Sequence, residues 1–356
     1  MRSFSVICSS ILTILTLQFA FCQPPEAKPS DDWKKQESAN LKSIRQITFD
    51  YARAGESYFS PDMKHIIFQA EEKGKNPFYQ MYVMELATQK TWRVSPGIGR
   101  TTCGYFHPLK PDQILFASGH TTKTYEKEAA EELAMREEDQ RLGRRRRYQW
   151  DFDPEIKIYS ANIDGSNLKC LTDAPDYNAE GSYSSDGKHI VFCSKRDGHL
   201  NLYIMDADGS NVRQITKTQN CYNGGPFFSP DNTRIIFRAD RDEKDALQLY
   251  VINVDGSGER QLTRNKGVNW CPYWHPNGKH VIYSGADHSD PRARPNYDLH
   301  LINTETLATK RITFAPGADV LPVFSPDGKT LMWTSTRDGR MPGSQIFLAD
   351  FDTELP

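Results

Sequence analysis

One spelling recurs along this chain with a period too long for a helix and too regular for chance. "FSPDGKTLMWTSTRDG" runs from Phe324, "YSSDGKHIVFCSKRDG" starts at Tyr183, "FSPDNTRIIFRADRD" at Phe228, "WHPNGKHVIYSGAD" at Trp274 and "FSPDMKHIIFQAE" at Phe59. With Phe106 opening a degenerate copy, the aromatic anchors are Phe59, Phe106, Tyr183, Phe228, Trp274 and Phe324, spaced 47, 77, 45, 46 and 50 residues apart. Only the 77 departs from the period, and it contains one insertion. Repeats of ~40–50 residues with turn signals inside each unit mark the blades of a β-propeller.

Each unit reads as four short β-rich runs. In the third copy they are "GSYS", "KHIVFCS", "LNLYIMD" and "NVRQIT", here called strands A to D, each rich in β-branched and aromatic residues. The A–B link is the recurring phrase itself. Proline presets φ at the first turn position, Asp tolerates the next, and Gly takes a left-handed site; Asn232 suits that site, Met63 less so. The C–D links "IDGS", "ADGS" and "VDGS" carry the Asp-Gly hairpin signal. The last unit ends at "QIFLADF" without a D strand, while "IRQIT" (residues 44–48) has the D spelling but precedes the first unit. The expected fold is therefore an all-β six-bladed propeller with four-stranded blades, closed by an N-terminal strand that completes the last blade and removes the exposed edges an open array would leave.

The SPDGK, RDG and DGS-x-x-R-Q-L/I-T spelling resembles the repeat of TolB-type propeller proteins, from Leu41 to Phe351. The resemblance covers the propeller alone, because the smaller α/β domain that precedes it in TolB has only about 20 leader residues in its place. It implies an envelope protein that binds other proteins, without carrying over the family's role in the Tol system.

The N-terminus reads as an export signal. Arg2 precedes an apolar run ending near Cys22, too short and poorly flanked for a stable membrane span. Cleavage is expected after Cys22, with lipidation of Cys22 as the alternative, so residues 1–22 are a signal peptide and residues 23–40 a disordered leader. The single propeller then fills 41–356, in a monomer that is periplasmic or secreted. A net charge of −2 lacks the basic excess of bulk nucleic-acid binding, and export argues against that partner too. The five cysteines beyond the signal form no CxxC pair, so neither a disulfide framework nor a zinc site is expected.

Function is expected on the rim built by the D–A and B–C loops. Five residues before the anchors stand Ala54, Thr101, Asn178, Asn223, Asn269 and Asp319; three before stand Glu56, Cys103, Glu180, Gly225, Cys271 and Leu321. The Asn and Asp residues either stabilise their loops by bonding the local backbone or form a polar ring that binds a ligand, cation or peptide. On the B–C loops, Arg196, Arg241 and Arg337 each precede an Asp, either as a local ion pair or as a carboxylate clamp. Blade two interrupts the same rim with about 35 residues between strands B and C, at roughly 120–154. "YEKEAAEELAMREEDQRLG" has high helix propensity, supporting pairs at Glu132/Arg136 and Glu137/Arg141, and Gly143 as a stop. After it, Arg144, Arg145, Tyr148 and Trp150 offer charge and stacking for an anionic or sugar ligand. Such insertions in compact folds are often lids or binding loops.

No G-x-S-x-G elbow, H-E-x-x-H motif, P-loop or dinucleotide fingerprint occurs, and no cofactor is expected. His65, His189 and His280 share one strand-B position, which reads as packing, and His107 and His275 replace the turn serine. His120 and His288, both on the B–C rim, are the weak metal candidates. The preferred reading is an exported, non-enzymatic module that binds a protein or peptide at this rim. The alternative is a carbohydrate-binding or carbohydrate-active propeller similar to oligogalacturonate lyase.

Overall fold

The computed structural model describes residues 32–144, 152–289, 295–337 and 343–356. Six four-stranded antiparallel sheets follow one another around an axis. Blade one is β2 (Tyr51–Phe59), β3 (His65–Glu72), β4 (Gln80–Glu85) and β5 (Thr91–Arg93), after β1 (Leu41–Gln46). Blade two is β6 (Thr101–His107), β7 (Lys110–Ser118), β8 (Lys157–Asn162) and β9 (Lys169–Cys170). Blade three is β10 (Asn178–Tyr183), β11 (His189–Ser194), β12 (Asn201–Asp206) and β13 (Arg213–Gln214). Blade four is β14 (Asn223–Phe228), β15 (Arg234–Ala239), β16 (Gln248–Asn253) and β17 (Arg260–Gln261). Blade five is β18 (Gly267–Trp274), β19 (His280–Asp287), β20 (Asp298–Asn303) and β21 (Thr309–Arg311). β22 (Asp319–Phe324), β23 (Thr330–Ser335) and β24 (Gln345–Phe351) form blade six, and β1 supplies its fourth strand.

The repeated letters have repeated physical jobs. The D-strand threonine accepts a hydrogen bond from the start of strand C: Ile346 N to Thr48 at 2.9 Å, Ile158 N to Thr172 at 3.0 Å, and Leu202 N to Thr216, Leu249 N to Thr263 and Leu299 N to Thr313 at 2.9 Å each. Ser95 does the same for Met81 N in blade one. Across strands B and C an aromatic pair faces in register: Phe68–Tyr82, Phe116–Tyr159, Phe192–Tyr203, Phe237–Tyr250, Tyr283–His300 and Trp333–Phe347. Cross-strand aromatic pairs are among the most stabilising contacts a sheet offers. In the A–B turn, the serine hydroxyl bonds the Asp two residues on and accepts the strand-B amide, as Ser325 does with Asp327 (2.6 Å) and Thr330 N (2.9 Å). His107 and His275 fill that serine position by packing on the next blade's anchor, Tyr183 and Phe324, at 4.8 and 4.7 Å between ring centroids.

The ring closes as the displaced D strand implies. Leu41 pairs with Phe351 and Gln46 with Phe347, with a bulge between Lys42 and Arg45. Leu41 is buried among Leu299, Leu301 and Ile312 of blade five and Phe324 and Leu331 of blade six.

One expectation is corrected here. Residues 32–40 are not a free leader: Asp32–Ser38 form helix α1, and Glu37 and Asn40 are buried. Glu37 bonds Arg337 of blade six at 2.9 and 3.2 Å and accepts from Phe314 N. Asn40 donates to Ile312 O at 3.1 Å. Polar composition suggests disorder, but these polar groups find partners some 270–300 residues away, which local composition cannot reveal. Residues 1–31 lie outside the described residues, as do the export signal and its cleavage site.

Candidate functional site

Every innermost strand slips register at one equivalent place: between Gly55 and Ser57, Thr102 and Tyr105, Ala179 and Ser182, Gly224 and Phe227, Trp270 and Tyr273, and Val320 and Val323. The bulge residues are Glu56, Cys103, Glu180, Gly225, Cys271 and Leu321, all left-handed with φ between 43° and 60°. A bulge re-aims a side chain, and all six line one cavity on the propeller axis. The neighbouring blade often holds the bulge amide: Glu56 N donates to Thr334, Leu321 N to Ser284, and Gly225 N to Glu180 at 2.6 Å.

Two residues further along the strands, away from the loop rim, Tyr58, Tyr105, Phe227 and Tyr273 converge. Tyr58 lies 5.0 Å from Tyr105 and 5.7 Å from Phe227, and Phe227 lies 5.1 Å from Tyr273, between centroids. The Tyr105 and Tyr273 hydroxyls meet at 3.3 Å. These rings stopper the channel. The space above them is about 30 Å³, room for a water or two.

The cavity wall is charged. Glu180 accepts from Tyr177 (3.0 Å), Tyr222 (2.6 Å), Gly225 N and Arg238 (3.0 Å). Arg238 leaves strand B of blade four to reach it, bonding the Tyr222 hydroxyl at 2.9 Å and the Cys271 sulfur at 3.7 Å. Burial works against its charge, but Tyr222 and Glu180 outweigh it and push its pKa well above the usual value. Glu56 is poorly served by comparison. Burial pushes its carboxyl above the usual range, and the Cys103 thiol and the Arg238 charge offset this only in part. Burial pushes the Cys103 and Cys271 thiols up as well, which keeps both protonated.

The structure separates the other sequence candidates from this cavity. Asn178, Asn223, Asn269 and Asp319 are buried at 0–2% exposure and face their own loops, so they do not form an open polar ring. Asn178 binds Ser194 (2.7 Å) and Arg196 (3.2 Å), and Asn223 binds Arg241 (2.7 Å). Asn269 donates to Gln248 and Asn265, and Asp319 is held by Trp333, Ser335 and Arg337. Arg196, Arg241 and Arg337 fold back over the aromatic pair of their own blade, 4.9 Å above Tyr203, Tyr250 and Trp333 respectively. Arg196 donates to Asn178 and Ser194, Arg241 pairs with Glu259 at 2.5 Å, and Arg337 pairs with Glu37 and Asp319. The Asp beside Arg196 accepts from Tyr203 instead, at 2.6 Å. These arginines lock B–C loops onto blades; at Arg196 and Arg241 the hydrogen bonds do not run to the Asp that follows, and Asp338 lies outside the described residues. His120 bonds Ser118 (3.1 Å) and packs on Tyr159, while His288 lies 2.9 Å from the Tyr297 hydroxyl. Among the described residues, no three His, Cys, Asp or Glu side chains come together as a metal site.

The blade-two insertion does reach the rim. Helix α2 (Tyr125–Arg141) buries no residue, and ion pairs hold it to blade one. Arg136 grips Glu71 at 2.6 and 3.2 Å, together with Pro77 O at 2.7 Å, and Glu128 meets Arg100 at 2.5 Å. The expected Glu132–Arg136 pair forms at 2.6 Å, whereas Arg141 turns to Glu138 in place of Glu137. Arg144 is exposed and pairs with Asp139 at 3.3 Å; Arg145, Tyr148 and Trp150 lie outside the described residues. Where the chain resumes, Phe152 packs 5.3 Å from Tyr177 and 5.6 Å from Tyr222, both ligands of Glu180.

Sequence reasoning reached Glu56 and Glu180 but missed Arg238, Tyr222, Trp270 and Phe152. Arg238 had a signal. Its counterparts in strand B are Gln69, Ala117, Cys193, Ser284 and Thr334, so a charged residue there stands out once blades are superposed.

No family model matches the chain. The uncharacterized protein Atu1656 of Agrobacterium fabrum is 31% identical over 196 residues, covering 50% of this chain and 63% of that protein. Dipeptidyl-peptidase 5 of Porphyromonas endodontalis is 28% identical over 90 residues, covering 25% of this chain and 13% of the peptidase. The matches thus span less than two thirds of either relative. Among solved structures, a protein assigned to TolB in Agrobacterium tumefaciens superposes with TM-score 0.59 at 18% identity, over 88% of this chain and 99% of that one. TolB from Acinetobacter baumannii gives 0.54 at 16%, over 87% and 66%. Oligogalacturonate lyase from Vibrio parahaemolyticus gives 0.52 at 13%, over 87% and 95%. At such identities the likeness is one of fold.

Proposed function

We propose that this chain, which has the six-bladed propeller fold of the TolB type, is an exported, non-catalytic module that binds a segment of a protein partner at the axial cavity on its loop rim. One observation carries the reading: six left-handed bulge residues, five of them bearing side chains, ring a cavity that holds the Glu180–Arg238 ion pair above an aromatic stopper. That is a socket for a side chain, too small for a sugar ring to enter. Glu180 is already engaged by four donors, and Cys103 and Cys271 are held as thiols, which suits recognition better than proton transfer or nucleophilic attack. Phe152 draws the blade-two insertion into the same site. Periplasmic or secreted residence as a monomer, following cleavage after Cys22, belongs to the same proposal.

The test is capture from an envelope extract by the wild-type chain, by Trp270→Ala at the cavity wall, and by a variant lacking residues 120–150. A partner retained by wild type and lost from Trp270→Ala supports the reading; a partner list unchanged by both variants sinks it. The shared fold with oligogalacturonate lyase motivates a parallel screen with acidic oligosaccharides. Their saturable binding or cleavage would replace the protein-binding reading with the carbohydrate one.

A further inference from the structure

The two carboxylates of the axial ring live in opposite circumstances. Glu180 has four donors, whereas Glu56, 7% exposed, has almost none. The Thr102 hydroxyl sits 3.4 Å from Glu56 but 2.8 Å from the Gln69 side-chain oxygen, so Glu56 has the weaker share of its one proton. Beyond that long contact stands only the weakly donating Cys103 thiol. A buried carboxyl so poorly supplied with donors is a costly arrangement unless something else supplies them.

Charge points the same way. Among the residues lining the cavity, Glu180 and Arg238 cancel, so ionised Glu56 leaves the site with one uncompensated negative charge. The remaining wall includes the rings of Trp270, Tyr273, Tyr58 and Phe227, beside aliphatic residues such as Leu321 and Val323. Aromatic surface beside a buried, donor-poor carboxylate is complementary to one cation that also donates hydrogen bonds.

We propose that the cavity is a socket for a single cationic side chain of the bound segment, an arginine guanidinium or lysine ammonium, with Glu56 as its counter-ion. This rests on the reading of the rim as a peptide site and names the residue type that enters it. Lysine suits the socket best, because its compact ammonium takes the room of a water and donates to the carboxylate. Glu56 thereby sets specificity, and Glu180 with Arg238 holds the frame.

The test uses the purified whole chain with the tripeptides Gly-Arg-Gly, Gly-Lys-Gly and Gly-citrulline-Gly, followed by tryptophan fluorescence and calorimetry. Citrulline keeps the shape of arginine and removes its charge. Saturable binding of the arginine and lysine peptides, weakened about tenfold or more by citrulline and by Glu56→Gln, is the expected result. An unchanged urea midpoint at low pH, where Glu56 is protonated, shows that the variant is folded. Equal affinity for the citrulline peptide, equal affinity in Glu56→Gln, or no binding at all overturns the socket. The peptide-site reading fails separately, when capture of the protein partner is indifferent to Trp270→Ala. A partner captured through Trp270 by both wild type and Glu56→Gln leaves that reading standing and removes the cation.

Discussion

Of the left-handed residues that recur around this propeller, one set lies in the A–B turns and another around the axis, with further ones in the C–D turns. In the A–B turns they are Met63, Gly187, Asn232, Gly278 and Gly328, with φ between 58° and 72°. Four of these five are Gly or Asn, the residues that occupy such a conformation most easily. On the axis the backbone asks for the same thing at Glu56, Cys103, Glu180, Gly225, Cys271 and Leu321, and glycine answers once. Holding other residues there costs about 1–3 kcal/mol each. The turns were filled for the backbone. The axial ring keeps its side chains in spite of the backbone, as sites built for recognition do.

The largest expected effect tests whether the ring's ion pair is its frame. Glu180→Ala leaves Arg238 buried with its charge uncompensated, and removing one partner of a buried pair costs about 3–5 kcal/mol. Urea unfolding should show that loss, whereas Asp186→Ala in an A–B turn, where the carboxylate faces water, should lose about 1 kcal/mol or less. Similar losses at the two positions would erase the distinction between ring and turn.

The turns and the closure were legible in the sequence because their causes are local. Pro, Asp and Gly at fixed offsets specify a hairpin, and a D-strand spelling stranded before Tyr51 specifies how the ring shuts. The ring's side chains were half legible. Glu56 and Glu180 fall at one offset from the anchors, but a bulge that places Glu, Cys or Leu in a left-handed conformation has no sequence signature. Arg238 sits in "RIIFRAD", where it reads as the outward end of a strand, and only the buried Glu180 of the adjacent blade explains it. Asn178, Asn223, Asn269 and Asp319 were visible as a set, yet their meaning lay in which loop groups they would meet. Glu37 illustrates the limit, since its partner Arg337 is 300 positions away.

The two regions should also titrate with opposite signs. In the turns, Ser184 and Lys188 N hold the Asp186 carboxyl below its usual 3.8, and Ser325 and Lys329 N do the same for Asp327. Folding then favours the ionised form, so this stability is complete above the unfolded value and is lost as pH falls through the lower folded value. Glu56 is raised from 4.5 by burial, against the Cys103 hydrogen bond, Arg238 and Thr102, with Glu180 adding to the rise. Folding there favours the protonated form, so the cost is absent below 4.5 and grows as pH rises through the higher folded value. Glu56→Gln should therefore gain stability relative to wild type from pH 4.5 upward, measured as urea midpoints across the range. Asp327→Asn should lose stability relative to wild type at neutral pH, by less, because solvent screens an exposed carboxylate. Parallel pH slopes for wild type and Glu56→Gln would mean that Glu56 is better solvated or better paired than its surroundings imply.

The smallest effect separates backbone from side chain most directly. Met63→Gly relieves a left-handed methionine in a turn where other blades use Gly or Asn. Against this stands the extra entropy that glycine has in the unfolded chain, for a net gain of about 0.5–1 kcal/mol. Its side chain is only half-buried and lines a shallow surface cavity, so little packing is forfeited. Leu321→Gly gives the same relief at φ 56° but strips a half-buried leucine from the cavity wall. Half of the ~1.5–3 kcal/mol for burying such a side chain outweighs the backbone gain, so this variant should be no more stable than wild type. It should also bind the arginine tripeptide more weakly, while Met63→Gly leaves that affinity unchanged. If Leu321→Gly instead stabilises the fold as much as Met63→Gly and binds as well as wild type, the axial side chain contributes nothing that would justify its strain. The ring would then be no more than a second circle of turns.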